Sequence, residues 1–387
     1  MIYLDHNAST PVRPEVAEAM AAGLNDLYAN PSSMHREGQR ARAAIERARE
    51  QVAALVHAHA DEVVFTSGGT EGDHLAILGA AWARAQQGRR VALSAIEHHA
   101  VHGAGAVLAD QGWTVDHLAC APDGRVDPAT AAIAPGTALV SLMLANNETG
   151  VLQPVAEWSR RAHAAGALLH CDAVQAAGKV PVDFEALEAD YLVVSAHKLS
   201  GPKGAGALVV RRGAPLAPLF RGSGHERGRR GGTENLPGIV GLGVAAECAA
   251  RDLAAESARL VALKRRLESG LREIAPDAVI HGEAAPRLPN TVNVSFPGAR
   301  SDHLLMALDA RGVAVSAGAA CASGAVEPSP VLNAMGVPRA LAVCAVRLSL
   351  GRTSTAAEVE AALAALREAV PAAVAAGARA PAAGTRA

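Results

Sequence analysis

The stretch from Tyr191 to Val210, YLVVSAHKLSGPKGAGALVV, decides the fold. The apolar run YLVVSA reads as a core strand that ends in His197 and Lys198, and a Gly/Pro loop leads straight into a further strand, GALVV,. Outward from it, upstream, the pattern repeats with helices between the strands. REGQRARAAIERAREQVAALV (36–56) is helix-like, EVVFT (62–66) strand-like, TEGDHLAILGAAWARAQ (70–86) helix-like and RRVALSA (89–95) strand-like,. TALVSLML (137–144), a helix near VAEWSRRAHAAG (155–166) and the strand ALLHC (167–171) continue it. Such alternation predicts a parallel α/β sheet of about seven strands.

Beyond Asn235 the text changes to long Ala/Leu/Arg helices through about Ile274, then the strand-like TVNVSF, a helix from Ser301 and a Gly/Ala-rich stretch at 312–324. A second, smaller lobe is expected there, because at 387 residues the chain exceeds the ~250–300 at which single cores stop growing,. The expected division is a large domain over 15–256, a small domain from 1–14 and 257–375, and a flexible tail over 376–387. The low-complexity text PAAVAAGARAPAAGTRA, 371–387, motivates the tail,. Half the residues are hydrophobic and 3% aromatic, so Ala, Val and Leu must fill the interior.

With 36 basic and 38 acidic side chains there is no electrostatic footprint for direct nucleic-acid or membrane binding, and a small polar substrate is expected,. No stretch approaches the ~20 apolar residues of a membrane span, and MIYLDHNAST lacks a signal core, which points to the cytoplasm,. The five cysteines, Cys120, Cys171, Cys248, Cys321 and Cys344, are odd in number and widely spaced, so neither a disulfide framework nor a metal site is indicated,.

Chemistry-bearing residues gather at expected strand ends. In FTSGGTEGDHLAI a small-residue turn opens a helix at Gly69 and Thr70, a geometry that offers free N–H groups to a phosphate, or serves as an ordinary turn,. Asp172 and Gln175 of HCDAVQ follow a buried strand, where a carboxylate can pair with a protonated ring nitrogen or simply cap a helix,. A lysine that ends a core strand is unusual, and Lys198 suits a Schiff base with an aldehyde, with Ser195 and His197 as phosphate donors and Lys203 as a competitor,. His98 can stack on an aromatic ring and move protons, or be half of a surface histidine pair,. Asn146, Asn147 and Glu148 follow a strand as turn residues would,. Cys321 lies in the small-residue run VAVSAGAACASGAVEPSP, unlike an inert core thiol, and Arg347 and Arg352 of VRLSLGR can clamp a carboxylate or sit on a solvated edge,.

The order of YLDHNAST, NPSSMHREG, FTSGGTEGDHLAI, IEHHAV, ANNETG, HCDAVQAAGK, SAHKLSGPKGAGAL, GGTEN, SAGAACASG and VRLSLGR resembles that of cysteine desulfurases, in the NifS/IscS-like branch of the class V aminotransferase-fold enzymes. The resemblance runs from about residue 2 to residue 360. It implies the aspartate aminotransferase-like, fold type I architecture of pyridoxal 5'-phosphate (PLP) dependent transferases. It also implies that Lys198 carries the PLP, Asp172 pairs with the pyridine nitrogen and Gln175 holds the ring oxygen. Gly69, Thr70, Ser195 and His197 would bind the phosphate with Thr233 of the partner subunit in a homodimer. His98 would stack and shuttle protons, Asn147 and Arg347 would orient the carboxylate of L-cysteine, and Lys198 would move the α-proton. Cys321 would take the sulfur as a persulfide, releasing L-alanine, and pass it to a sulfur-acceptor protein. That acceptor is an iron–sulfur scaffold, a tRNA-thiolation enzyme, another thio-cofactor pathway or DNA sulfur modification. The text departs from the commonest family pattern at His6, Ser9, His74 and Ala319. A selenocysteine lyase, another class V lyase or transaminase, and a non-enzymatic scaffold are the competing readings.

Overall fold

A computed structural model describes residues 1–129, 131–317 and 327–379. The strands in chain order are β1 (Ile2–Tyr3), β2 (Val63–Thr66), β3 (Arg90–Ser94), β4 (Thr114–Leu118), β5 (Thr137–Ser141) and β6 (Leu168–Asp172). They continue as β7 (Tyr191–Ser195), β8 (Gly206–Val210), β9 (Val279–Ile280), β10 (Thr291–Ser295), β11 (Val313–Ala314) and β12 (Ala345–Ser349). The helices are α1 (Pro14–Asp26), α2 (Arg36–Leu55), α3 (Gly69–Ala83), α4 (His99–Asp110), α5 (Val155–Ala164) and α6 (Phe184–Leu187). After them come α7 (Leu236–Ile274), α8 (Ser301–Asp309), α9 (Pro330–Ala334), α10 (Arg339–Ala342) and α11 (Ala356–Arg379).

Seven strands form one sheet in the order β2-β8-β7-β6-β5-β3-β4. Every pairing from β7 to β4 is parallel, while β8 is antiparallel to both β7 and β2. Two antiparallel steps restore direction, so β2, β3, β5, β6 and β7 all end at the same edge, where open α/β sheets bind ligands. The short Gly/Pro loop after Lys198 is what reverses β8. The strand β4 was not foreseen from sequence, because its mostly exposed or half-buried residues belong to a sheet edge and carry no apolar run,. Tyr191–Ser195 and Gly206–Val210 are buried throughout, as sandwiching between helical layers requires,.

The second unit is built on the three-stranded antiparallel sheet β12-β10-β9, with β1 and β11 paired alongside. One 39-residue helix, α7, joins the two cores. Its Leu236, Ile239, Leu242 and Ala246 pack with α2 and the large sheet, whereas Leu260, Leu263, Leu267 and Leu271 pack with β10, β12 and α11. Of the tail expected over 376–387, residues 376–379 belong instead to α11, which runs through Arg379. Ala-rich text carries high helix propensity, and Ala369, Val370 and Ala373 bury that face in the small core,. Residues 380–387 lie outside the described residues.

Candidate active site

The loops leaving the shared sheet edge enclose a cavity of about 750 Å³, within the size range of cofactor sites,. Ten of the site residues expected from sequence line it: Gly69, Thr70, His98, Asn147, Asp172, Gln175, Ser195, His197, Lys198 and Arg347. Thr233 does not; it is exposed in the segment before α7. Cys321, with Ala319, lies outside the described residues, although Ser316 and Ala317 on one side and Pro330 and Val331 on the other line the cavity.

At the end of β2, Gly68 has φ 153°, a conformation that side chains rarely adopt, and α3 starts at once with Gly69,. Gly206 on β8 backs this turn so closely that a Cβ there would stand 2.7 Å from the Gly68 Cα. The turn thus presents the first N–H groups of α3 to the cavity, a ready anion site. Ser195 ends β7 beside it, and its buried Oγ has no protein partner. His197 follows, its ring kept neutral by burial and by Lys198, with a pKa lowered to about 4.

Lys198 Nζ donates to the carbonyl oxygens of Asn7 at 2.5 Å and Ala8 at 2.8 Å. Burial, helped by the Arg347 charge, lowers its pKa to about 8, so a useful fraction is free amine near neutral pH,. Asp172 closes β6, buried, with Oδ1 accepting the Val174 N–H at 2.8 Å. Burial pushes its carboxyl up, against the pull of His98 and Lys198. Two further carboxyls stand near it. Glu97 is raised to about 8 by burial, and Asp73, 3.3 Å from the His170 Nε2, is raised well above the usual range by burial and by Asp172. Glu97 thus holds a proton at neutral pH. His98 caps α4 by accepting the Ala100 N–H at 3.2 Å, and burial lowers its pKa.

Arg347, in the middle of β12, donates to Asp5 Oδ1 at 2.7 Å and to the Asn147 carbonyl at 3.0 Å, while its buried Nε has no partner. A carboxylate can still dock on the unused N–H groups. Glu148 accepts from Ser329 at 2.5 Å and is raised by burial to about 7.

Sequence reasoning missed Asn7. Its carbonyl takes Lys198 and Gln175, and its side chain donates to the Asn147 carbonyl and Thr291 and accepts from Asn290, so it ties both lobes to the site. Only its position in YLDHNAST marked it. Among the departures from the family pattern, His6 is buried against Gly351, and His74 Nδ1 lies 2.9 Å from the Thr70 carbonyl on the outside of α3. Among the described cysteines none is paired, and burial raises the Cys171 thiol well above its usual range, leaving it inert,.

A profile of the aminotransferase class-V family matches residues 2–362. The chain belongs to that family. Within it, a cysteine desulfurase IscS of Anaeromyxobacter dehalogenans is 48% identical, over 93% of this chain and 90% of that protein. A cysteine desulfurase of Cereibacter sphaeroides is also 48% identical, over 93% of each chain. The solved structure of a NifS-like protein superposes with a TM-score of 0.89 at 37% identity, covering 95% of this chain and 98% of that one. SspA in complex with cysteine does so with a TM-score of 0.81 at 35% identity, covering 90% and 99%. The class-V desulfurases are PLP enzymes, and this cavity fits that cofactor. It offers an unpartnered buried hydroxyl and a glycine turn at a helix start for the phosphate, a buried carboxylate for the ring nitrogen and a lysine of lowered pKa for the aldehyde.

Proposed function

We propose that this chain removes sulfur from L-cysteine, releasing L-alanine and loading the sulfur on Cys321 for transfer to an acceptor protein. The observation that carries the reading is the meeting of Lys198, Asp172, Ser195 and Arg347 in one cavity. PLP, when bound, supplies an electron sink for the bonds around the substrate Cα. The chain's residues do the rest. Gly69, Thr70, Ser195 and His197 would hold the phosphate, Asp172 would keep the ring nitrogen protonated, Gln175 would hold the ring oxygen and His98 would stack on the ring. Arg347 and Asn147 orient the substrate carboxylate, and Lys198 moves the proton at Cα. Cys321 follows Ala317 by four residues, a tether of at most about 14 Å,. At its sulfur the substrate C–S bond gives way to an S–S bond.

Thr233 completes the phosphate site of the partner in a homodimer; its place away from the cavity of its own chain supports this. The large domain 15–256 and the small domain 1–14 with 257–375 are the working units. Among the described residues no helix is long and apolar enough to cross a membrane, and the near-balanced charge favours a cytoplasmic enzyme acting on small molecules and proteins. Iron–sulfur cluster assembly is one of the pathways such a persulfide would serve, beside tRNA thiolation, another thio-cofactor pathway and DNA sulfur modification.

The purified protein, supplied with PLP and a reductant, is expected to form alanine and sulfide from L-cysteine. Lys198→Ala should lower alanine formation by on the order of 10³-fold, while Cys321→Ser should abolish sulfur transfer. A wild-type protein that binds PLP yet leaves L-cysteine intact would falsify the proposal.

A further inference from the structure

Behind the cavity wall stands a lysine with no assigned role. Lys179 is 8% exposed, and its Nζ donates to Gln175 Oε1 at 2.7 Å. Burial, joined by the charges of Lys198 and Arg347, both cations, pushes its pKa well below the ordinary value. It also borders a small second cavity of about 60 Å³, whose two acidic walls are already paired, Asp252 with Arg13 at 2.8 Å and Glu256 with Arg259. A buried amine without a counter-charge is costly to keep.

Its geometry gives it a use. The Asn7 backbone carbonyl only accepts and Lys179 gives an N–H, so the Gln175 amide between them has one orientation,. Oε1 faces Lys179, and Nε2 donates to Asn7 O at 2.9 Å. The second N–H of Nε2 is left for the cavity that Gln175 lines. We propose that Lys179 is a positioning residue that locks the Gln175 amide, so that an N–H and never the oxygen meets the phenolic oxygen of the bound cofactor. A flipped amide would set two acceptors face to face, leaving the phenolic oxygen without its donor. Ammonium or neutral amine, Lys179 has N–H groups to give. The inference rests on the cofactor reading above.

The test compares wild type, Lys179→Met, Gln175→Ala and the double variant by the dissociation constant for PLP and by the absorption band of the bound cofactor. Lys179→Met is expected to weaken binding about tenfold, the worth of one hydrogen bond, and to shift the band. In the Gln175→Ala background it should change nothing further. Lys179→Arg, which keeps a donor, should restore the band. Unchanged binding and band in Lys179→Met, or effects that multiply fully in the double variant, overturn the proposal. Should Lys179→Met fail to fold, Lys179→Leu is measured against the same outcomes. A wild type that takes up no PLP overturns the cofactor reading instead.

Discussion

Among single residues, Glu97 shows how burial sets protonation around the site. Its Oε1 accepts from Ser94 at 2.7 Å and from the Met143 N–H at 2.8 Å, while Oε2 is buried without a partner. Two hydrogen bonds do not offset the loss of water, and the pKa rises from 4.5 to about 8. Between those values the folded protein holds a proton that the unfolded chain has released, so stability falls as pH rises from about 4.5 to about 8,. Glu97→Gln removes this titration and leaves an oxygen for both donors. Urea unfolding of the cofactor-free protein at pH 5 and pH 8 should therefore show a smaller fall in the variant, by up to about 1.4 kcal/mol per pH unit. Equal falls in the two proteins would mean that Glu97 is ionised in the fold. None of this could be read from AIEHHAV, where Glu97 passes for a surface acid, because its environment is made by β5 and β6.

Elements meet the site through the strand ends, and the closest meeting is between β8 and the turn before α3. Gly206 pairs with Thr66 on one side and Ser195 on the other. A methyl group there meets the Gly68 Cα at 2.7 Å and its carbonyl carbon at 2.8 Å, and backbone atoms cannot swing aside. Gly206→Ala should displace the phosphate-side turn, costing about 1–3 kcal/mol of overpacking. Equilibrium dialysis is expected to show PLP binding weakened about tenfold. Unaltered affinity would show that the turn does not depend on β8. The strand GALVV was legible from sequence, as were Asp172 and Lys198 at the ends of apolar runs. The reversal of β8 was not, since strand direction depends on which neighbour completes the ladder.

For the whole molecule, Thr233 is the residue to test. It stands exposed outside its own cavity, so a site that needs it must borrow it from a second copy. Lys198→Ala and Thr233→Ala subunits should each be impaired as homodimers. When co-expressed, the mixed dimer regains one complete site, joining Lys198 of one subunit to the Thr233 of the other. Alanine formation by the purified mixed dimer should approach half the wild-type rate; no recovery over either parent would place Thr233 outside the neighbouring site.

By itself the sequence determined the layered α/β architecture, the positions of Lys198 and Asp172 at strand ends and of Thr70 at a helix start, and the membership that the collinear segments announce. These are local properties: apolar runs, turn residues and the polar residue that follows them. Only the tertiary structure decided the role of Asn7, the clamp of Lys179 on Gln175, the protonated Glu97 and the raised carboxyl of Asp73 near Asp172, and the extension of α11 through Arg379. Each depends on what chain segments far apart in sequence bring within hydrogen-bond range and remove from water. Burial and charge at one residue are set by such neighbours, and no local pattern records them.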